Sequence, residues 1–236
     1  SNEADLCLEI MERQGQQDCR DFFSCILSNK KAWPDVCKLF EFSIEEFTVC
    51  LSCGFSSRSG KIEDVPFLPI DCPSQSTPLY EMIEKLNGQS VHKDWKCESV
   101  CKRVTGGKHF TKVIDVSSIT FFTTVVNRLI RHESGSLKIL NTKCIVTDNV
   151  TIMDSFGQSA LFSPIAVIHH SGIVTQKNDT CGHYRADVRS TATDEWFQTS
   201  DDQIPLKVPS PSDQCYITIF KKQVQTVKKI KIQENE

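Results

Sequence analysis

The residues best suited to chemistry are Gly182-His183-Tyr184-Arg185-Ala186, with Trp196 and Ser200-Asp201-Asp202 a short distance on. A neutral imidazole is a general base, and a carboxylate or amide bound to one ring nitrogen fixes its tautomer. Gly182 removes the side chain where an extended substrate backbone would pass. Tyr184 and Trp196 are expected to wall the site and exclude water. Asp201 or Asp202 can accept the Nδ1 proton, leaving Nε2 free to take a proton from a thiol. Ser200 is a third acceptor, although a hydroxyl holds an imidazolium less firmly than an anion does. Together these groups form the base half of a thiol hydrolase, without a convincing nucleophile in front of it. His169 and His170 close an apolar run just before Ser171-Gly172. His169 is expected to anchor a strand end, and His170 to shape the loop leading to His183.

Two cysteine pairs carry a second chemistry. Cys50-Leu51-Ser52-Cys53-Gly54 is a compact knuckle whose thiolates can share one Zn²⁺, with Gly54 permitting the tight turn after the second ligand. Cys97 and Cys101, one residue further apart, would complete a closed, structural Cys₄ site that clamps two distant stretches of chain. The alternative is four free cysteines in a small core.

These groups must be held by 236 residues, 39% of them hydrophobic, enough for one large domain or a domain with a small annex. The net charge of -3 is spread along the chain and makes no electrostatic case for nucleic acid or an anionic membrane. No apolar run reaches the eighteen or so residues of a membrane span, and the start carries no signal-peptide pattern. The chain begins with Ser1 rather than Met, as a fragment of something longer would. The 12 cysteines sit mostly in apolar or helical context, which reads as a reducing compartment, cytoplasmic or nuclear.

Hydrophobic spacing predicts helices from Glu3 to Ser28, broken at Gly15, and a short amphipathic helix from Leu79 to Leu86 stopped by Asn87-Gly88. Leu39 to Val49 alternates loosely, and Pro66 to Pro78 reads as the start of a strand followed by a loop. Strands are expected around Val113 to Leu129, Cys144 to Ile152, Ser163 to His169, Arg185 to Arg189 and Tyr216 to Phe220, and a charged tail from Lys221 to Glu236. Helices first and mostly antiparallel strands later make an α+β layout.

In chain order these motifs resemble the ubiquitin-specific proteases, papain-like cysteine peptidases. Gly182-His183-Tyr184 with Ala186 and Val188 is similar to the family's histidine box, and Trp196-Phe197 through Ile204 to the segment holding its third catalytic residue. Gln17-Asp18-Cys19-Arg20-Asp21-Phe22 resembles its Gln-Asp helix, with Asp21 where a Glu is usual. Leu39-Phe40 and the two cysteine pairs resemble its zinc-bearing fingers, Asn127-Arg128-Leu129 its Asn-Arg-Phe strand, and Tyr216 to Phe220 its closing strand.

The resemblance implies a thumb-palm-fingers fold with an antiparallel palm and fingers sheet, N-terminally truncated. Thumb helices would span about 1–38, the zinc-ribbon fingers about 39–112, the palm about 113–220, and the tail 221–236. His183 would be the general base of a deubiquitinase that cleaves after ubiquitin's terminal Gly. The family's third residue falls on Ser200, and its neighbour Asp201 is expected to take the orienting role. Gln17, Asp18, His170, Gly182, Tyr184 and Trp196 would contact the ubiquitin tail. The family's Cys box is missing: sixteen residues precede Gln17, and Cys7 lacks a Gly-Asn before it. The nucleophile is therefore expected outside this segment, which alone would be inactive. Two other readings are a ubiquitin-binding module that has lost catalysis and a structural zinc protein with no ubiquitin role.

Overall fold

The computed structural model describes residues 18–86, 90–99, 101, 102, 104, 106–131, 137–146, 149–174, 180–201 and 203–223. Helix α1 (Cys19–Ser28) starts at Asp18, whose Oδ1 accepts the Arg20 N–H at 2.8 Å, a side-chain N-cap. Helix α2 (Pro34–Phe40) opens with proline, which needs no intrahelical N–H partner there. An aromatic row ties both helices to the main sheet. The ring of Phe23 meets Phe40 edge-on at 5.4 Å, and Phe40 stacks on Phe121 at 5.1 Å. Helix α3 (Leu79–Lys85) buries Leu79, Met82 and Ile83, the i, i+3, i+4 stripe of an amphipathic helix.

Two sheets carry the functional residues. The smaller has four strands in the order β2 (Ser56–Val65), β1 (Phe42–Cys50), β6 (Gly107–Val113), β5 (Ser90–His92). All its pairings are antiparallel. A register shift between Glu45 and Phe47 keeps Phe42, Ile44, Phe47 and Cys50 on the buried side of β1.

The larger sheet has eight strands. Their order is β15 (Leu206–Val208), β14 (Trp196–Thr199), β13 (Thr180–Arg189), β12 (Ser159–Val174), β16 (Cys215–Lys222), β7 (Phe121–Asn127) and β3 (Leu68–Asp71), with β11 (Val150–Met153) also pairing β12. Its pairs are antiparallel except β3 with β7. Short pairs β4 (Thr77–Pro78) with β10 (Cys144–Ile145), parallel, and β8 (Leu129–Arg131) with β9 (Leu137–Ile139), antiparallel, complete the strands. The core lies against this sheet, where the ring of Phe122 is 5.1, 5.8 and 6.2 Å from those of Phe42, Phe162 and Phe220.

The α+β layout and the antiparallel sheets are as expected, and several boundaries differ. The strand expected to end at His169 continues to Val174, because β13 pairs with it along that whole length. The stretch expected as one strand from Cys144 to Ile152 is two short strands in different sheets. Lys221 and Lys222 belong to β16 rather than to a tail. Cys25 is disulfide-bonded, which the expectation of reduced cysteines does not cover, while nine described cysteines are free thiols. Gly15, Asn87-Gly88, most of the first expected helix and residues 224–236 lie outside the described residues. Among the described residues no helix is long and apolar enough to cross a membrane.

Phe122 is fully buried at the junction of these rings. Phe122→Ala should cost about 3–5 kcal/mol of unfolding free energy, read from the urea midpoint at unchanged slope.

Candidate active site and metal centre

β13 positions the histidine. Its pairing with β12 sets Gly182 opposite Gly172, His183 opposite Ser171 and Tyr184 opposite His170. Side chains alternate along a strand, so Gly182 and Tyr184 share one face, and His183 and Asp187 the other. The close approach explains the glycine: a Cβ at position 182 would lie 2.3 Å from His170 Nε2 and 2.4 Å from the Ser171 carbonyl oxygen.

On the histidine's face, His183 Nε2 lies 2.5 Å from Ser200 Oγ and 3.4 Å from Asp201 Oδ2. The expectation had the acceptor on Nδ1; the structure reverses the two nitrogens. In the tautomer protonated at Nε2 these acceptors share that proton and Nδ1 carries the lone pair that can take another; in the other tautomer the Ser200 hydroxyl donates to Nε2. Ser200 is buried and closest. The Asp201 side chain is 74% exposed, and its φ of 47° lies in the left-handed region that Asp tolerates better than most residues. The turn holding both is closed by the Gln203 N–H, which donates to the Ser200 carbonyl at 3.0 Å. The His183 side chain is 42% exposed and open to a reactant.

On the opposite face, the His170 and Tyr184 rings stack at 4.5 Å, and Tyr216 follows at 6.2 Å. The Tyr216 hydroxyl donates to both carboxylate oxygens of Asp18, at 2.8 and 3.0 Å. Burial, reinforced by the Asp18 charge, holds the Tyr184 and Tyr216 phenols protonated far above their ordinary range. Burial lowers the His170 pKa, and the Asp18 carboxylate opposes this. The Cys19 thiol, in the same neighbourhood, is pushed up to about 12 by burial and by Asp18, which leaves it a thiol rather than a nucleophilic thiolate.

Trp196 does not reach His183. It pairs with Arg189, six residues along β13, so about 20 Å of strand separates them, and it packs against the core instead. His169 is a buried residue within β12 rather than a strand end, with Nε2 3.5 Å from Asp187 Oδ2. Gln17 and Asp202 lie outside the described residues.

Asp187 was not singled out in the sequence. It is fully buried and accepts from the Ser212 N–H at 2.7 Å and Gln198 Nε2 at 3.0 Å. Burial pushes its carboxyl up, but these bonds and His169 outweigh that and hold it below the usual range. One carboxylate thus joins β12, β13, β14 and the loop before Tyr216. Its signal in the sequence was a lone acid on the same strand face as His183.

The metal candidates converge. Cys50, Cys53, Cys97 and Cys101 place their four Sγ atoms within 4.8 Å of one another. Cys50 to Cys101 and Cys53 to Cys97 are each 3.7 Å apart. Tetrahedral Zn²⁺ with Zn–S of about 2.3 Å needs sulfurs about 3.8 Å apart, so the set fits such an ion. Gly54 sits at φ 70°, the turn its knuckle requires. The longer second pair is accommodated with Lys102 at φ 43° just after Cys101. Burial pushes the Cys97 thiol up to about 12, and a bound cation would instead hold it as thiolate.

No family model matches the chain, and neither does any curated protein sequence. Solved structures do match its fold. The SAGA Ubp8/Sgf11/Sus1/Sgf73 DUB module bound to ubiquitin aldehyde matches with 17% identity and a TM-score of 0.67, over 89% of this chain and 50% of that one. The same module with a variant Ubp8 and monoubiquitin gives 17% and 0.68 over 89% and 49%. The yeast SAGA module with a variant Sgf73 gives 16% and 0.63 over 94% and 48%. The chain has the fold of a ubiquitin-specific protease domain and spans about half the length of the solved chains it matches.

The folded pKa of His170 lies below that of the unfolded chain, so protonation favours unfolding. Its contribution is complete above about pH 6.5 and is lost as the pH falls through the folded value. Replacing His170 with glutamine should therefore flatten the decline of stability with acid, measured as urea midpoints across that window. Zinc analysis of the purified chain should find about one ion per chain. Cys97→Ser or a strong chelator should remove it and lower the melting temperature.

Proposed function

We propose that this chain is the thumb, fingers and palm portion of a ubiquitin-specific cysteine protease, with His183 as its general base. The observation that carries this reading is the engagement of His183 Nε2 by Ser200 and Asp201 on a solvent-open side chain; we take the tautomer protonated at Nε2, with Nδ1 as the basic nitrogen. In the reaction, Nδ1 takes the proton of a cysteine thiol and the sulfur attacks the carbonyl carbon of ubiquitin's terminal Gly. The bond to the lysine amine breaks, and that amine leaves with the proton returned by His183. Water then hydrolyses the thioester.

None of the ten cysteines whose side chains are described suits the nucleophilic role. Cys19 and Cys72 are raised by burial, Cys37, Cys144 and Cys215 are buried, Cys25 is disulfide-bonded, and four others form the metal cluster. The thiol is therefore assigned to polypeptide outside this segment, and the segment alone is catalytically silent. The four-stranded sheet with its Cys₄ site corresponds to the fingers, where Zn²⁺ is structural and ubiquitin's body rests. Asp18 on α1 and Tyr216, Tyr184 and His170 on the palm correspond to the walls along which the ubiquitin tail passes. Ubiquitin and ubiquitinated proteins in the cytoplasm or nucleus are the proposed partners.

A second reading has one specific observation in its favour. The group closest to His183 is a neutral hydroxyl, which compensates an imidazolium less than a carboxylate would. On that reading the chain is a ubiquitin-binding module without catalysis.

The zinc-loaded chain should bind monoubiquitin in calorimetry, and Asp18→Ala should weaken the binding about tenfold. An absence of heat for the folded chain would remove both readings. A ubiquitin carrying a C-terminal electrophile should form no adduct with this chain, and labelling of any of its 12 cysteines would overturn the placement of the nucleophile. A longer version supplying a Cys box separates the readings, since labelling that His183→Ala abolishes requires the first.

A further inference from the structure

Away from His183, the last residues of β16, the first of β12 and the segment before β7 enclose a half-open groove of about 580 Å³. Val116, Ala160 and Leu161 give it an apolar lining, and Lys221 and Lys222 are its charged residues. No carboxylate lines it, and among the described residues neither lysine has a carboxylate partner. Lys222 Nζ donates to the Val116 and Ser117 carbonyls at 3.0 and 2.7 Å, which fixes the ammonium but does not neutralise it. Asp115, the acid nearest in sequence, is turned to Ser117 instead, accepting its N–H and hydroxyl at 2.8 and 2.6 Å. Consecutive in β16, the two lysines leave opposite faces of the strand: Lys222 turns to Val116 and Ser117, and Lys221 is the exposed cation on the face shared with Ser159 and Leu161.

The adjoining β11–β12 hairpin contributes a second feature. Its turn runs from Asp154 to Gln158, and Gln158 lines the groove. The Asp154 carboxylate accepts the N–H groups of Phe156 and Gln158 at 2.8 and 2.9 Å, so the turn is rigid. It nevertheless holds Phe156 at 74% exposure, and Met153 before it at 58%. Large apolar side chains held in solvent by a braced turn, beside an apolar groove, are the exposed patch of an interaction surface.

We propose that this groove, together with Phe156 on the turn whose Gln158 lines it, docks an acidic amphipathic peptide segment of a partner protein. A carboxylate of the peptide would meet Lys221, and its apolar side chains would cover Leu161 and Phe156. The open side admits a segment lying along the strand ends. The proposal does not depend on the deubiquitinase reading, because none of these residues belongs to the His183 site.

The test uses the whole 236-residue chain and a short fluorescein-labelled peptide alternating glutamate and leucine, followed by anisotropy at low salt. Saturable binding is expected, weakening as salt is raised. A lysine–leucine counterpart should bind at least about tenfold more weakly. Two variants keep the fold: Lys221→Glu with Ser159→Glu reverses the charge, and Phe156→Ser removes the apolar anchor, all at exposed positions. Each should cut affinity about tenfold or more with unchanged far-UV circular dichroism and melting temperature. The proposal is overturned if the glutamate–leucine peptide fails to bind, if both peptides bind alike, or if both variants bind as the parent does. Concentration-dependent dimers in sedimentation that the charge-reversal variant dissociates would assign the groove to a second copy, which also overturns it.

Discussion

Between β12 and β13 the backbone at Gly182 comes so near His170 and Ser171 that no side chain fits. That approach fixes the register, and the register decides the chemistry. A slip of one residue would turn His183 to the side now occupied by Tyr184 and bring Tyr184 to Ser200. In the observed register His183 and Asp187 share a face, and Tyr184 joins His170 and Tyr216 on the other. His183 and the stacked Tyr184 are consecutive residues and so occupy opposite faces of one strand. The length of β12 follows from the same constraint. It must pair with β16 near Val167 and with β13 as far as Val174 to hold both ends of this arrangement.

Two buried ionised groups set the strands around that pair, and neither has a simple opposite charge beside it. Asp187 accepts from a backbone N–H and an amide, with an imidazole 3.5 Å away, drawn from three different segments. Arg128 donates to the carbonyls of Cys215, Leu140 and Thr142, at 2.9 Å each. Burying such charges is costly unless hydrogen bonds replace water. The benefit is geometric, because each group ties the start of β16 or the loop before it to strands remote in sequence. Tyr216, which meets Asp18 at the start of α1, stands directly after the carbonyl that Arg128 holds. The contact between helix and sheet thus rests on a charge buried one residue away.

How much of this could be read in advance followed from how local the determinants are. The cysteine knuckle was legible because two ligands and a glycine turn lie within five residues, and tetrahedral sulfur geometry constrains the rest. His183 was legible from its flanking glycine and tyrosine. Helix α3 was legible from a clean apolar stripe. What stayed hidden depended on register. Strand β2 reads Ser-Ser-Arg-Ser-Gly, with little β propensity, and is a strand because β1 pairs with it. Trp196 looked near His183 in sequence, yet antiparallel pairing carried it toward the far end of β13. The choice of ring nitrogen depended on where the Ser200 turn returns relative to the imidazole, which spacing alone does not encode. Asp187 was hidden because its partners come from three segments that only the folded sheet brings together.

The His183 site separates two properties that usually come together in a base–acceptor pair. Orientation is well provided: Ser200 is buried, its turn is closed by a backbone hydrogen bond, and the contact is short. Charge compensation is not. Among the described residues the carboxylate paired with the ring is that of the exposed Asp201 side chain, at a distance and exposure where water and salt screen most of the attraction. A base needs the first property to meet a thiol and the second to hold the proton it has taken. Here the ring is aimed much as a strong pair would aim it, while an imidazolium at this position would rely on solvent and on Asp201. Any catalysis built on this half-site would then be limited at the proton-bearing stage rather than at alignment, and the same rigid alignment would persist if the site were kept for binding alone.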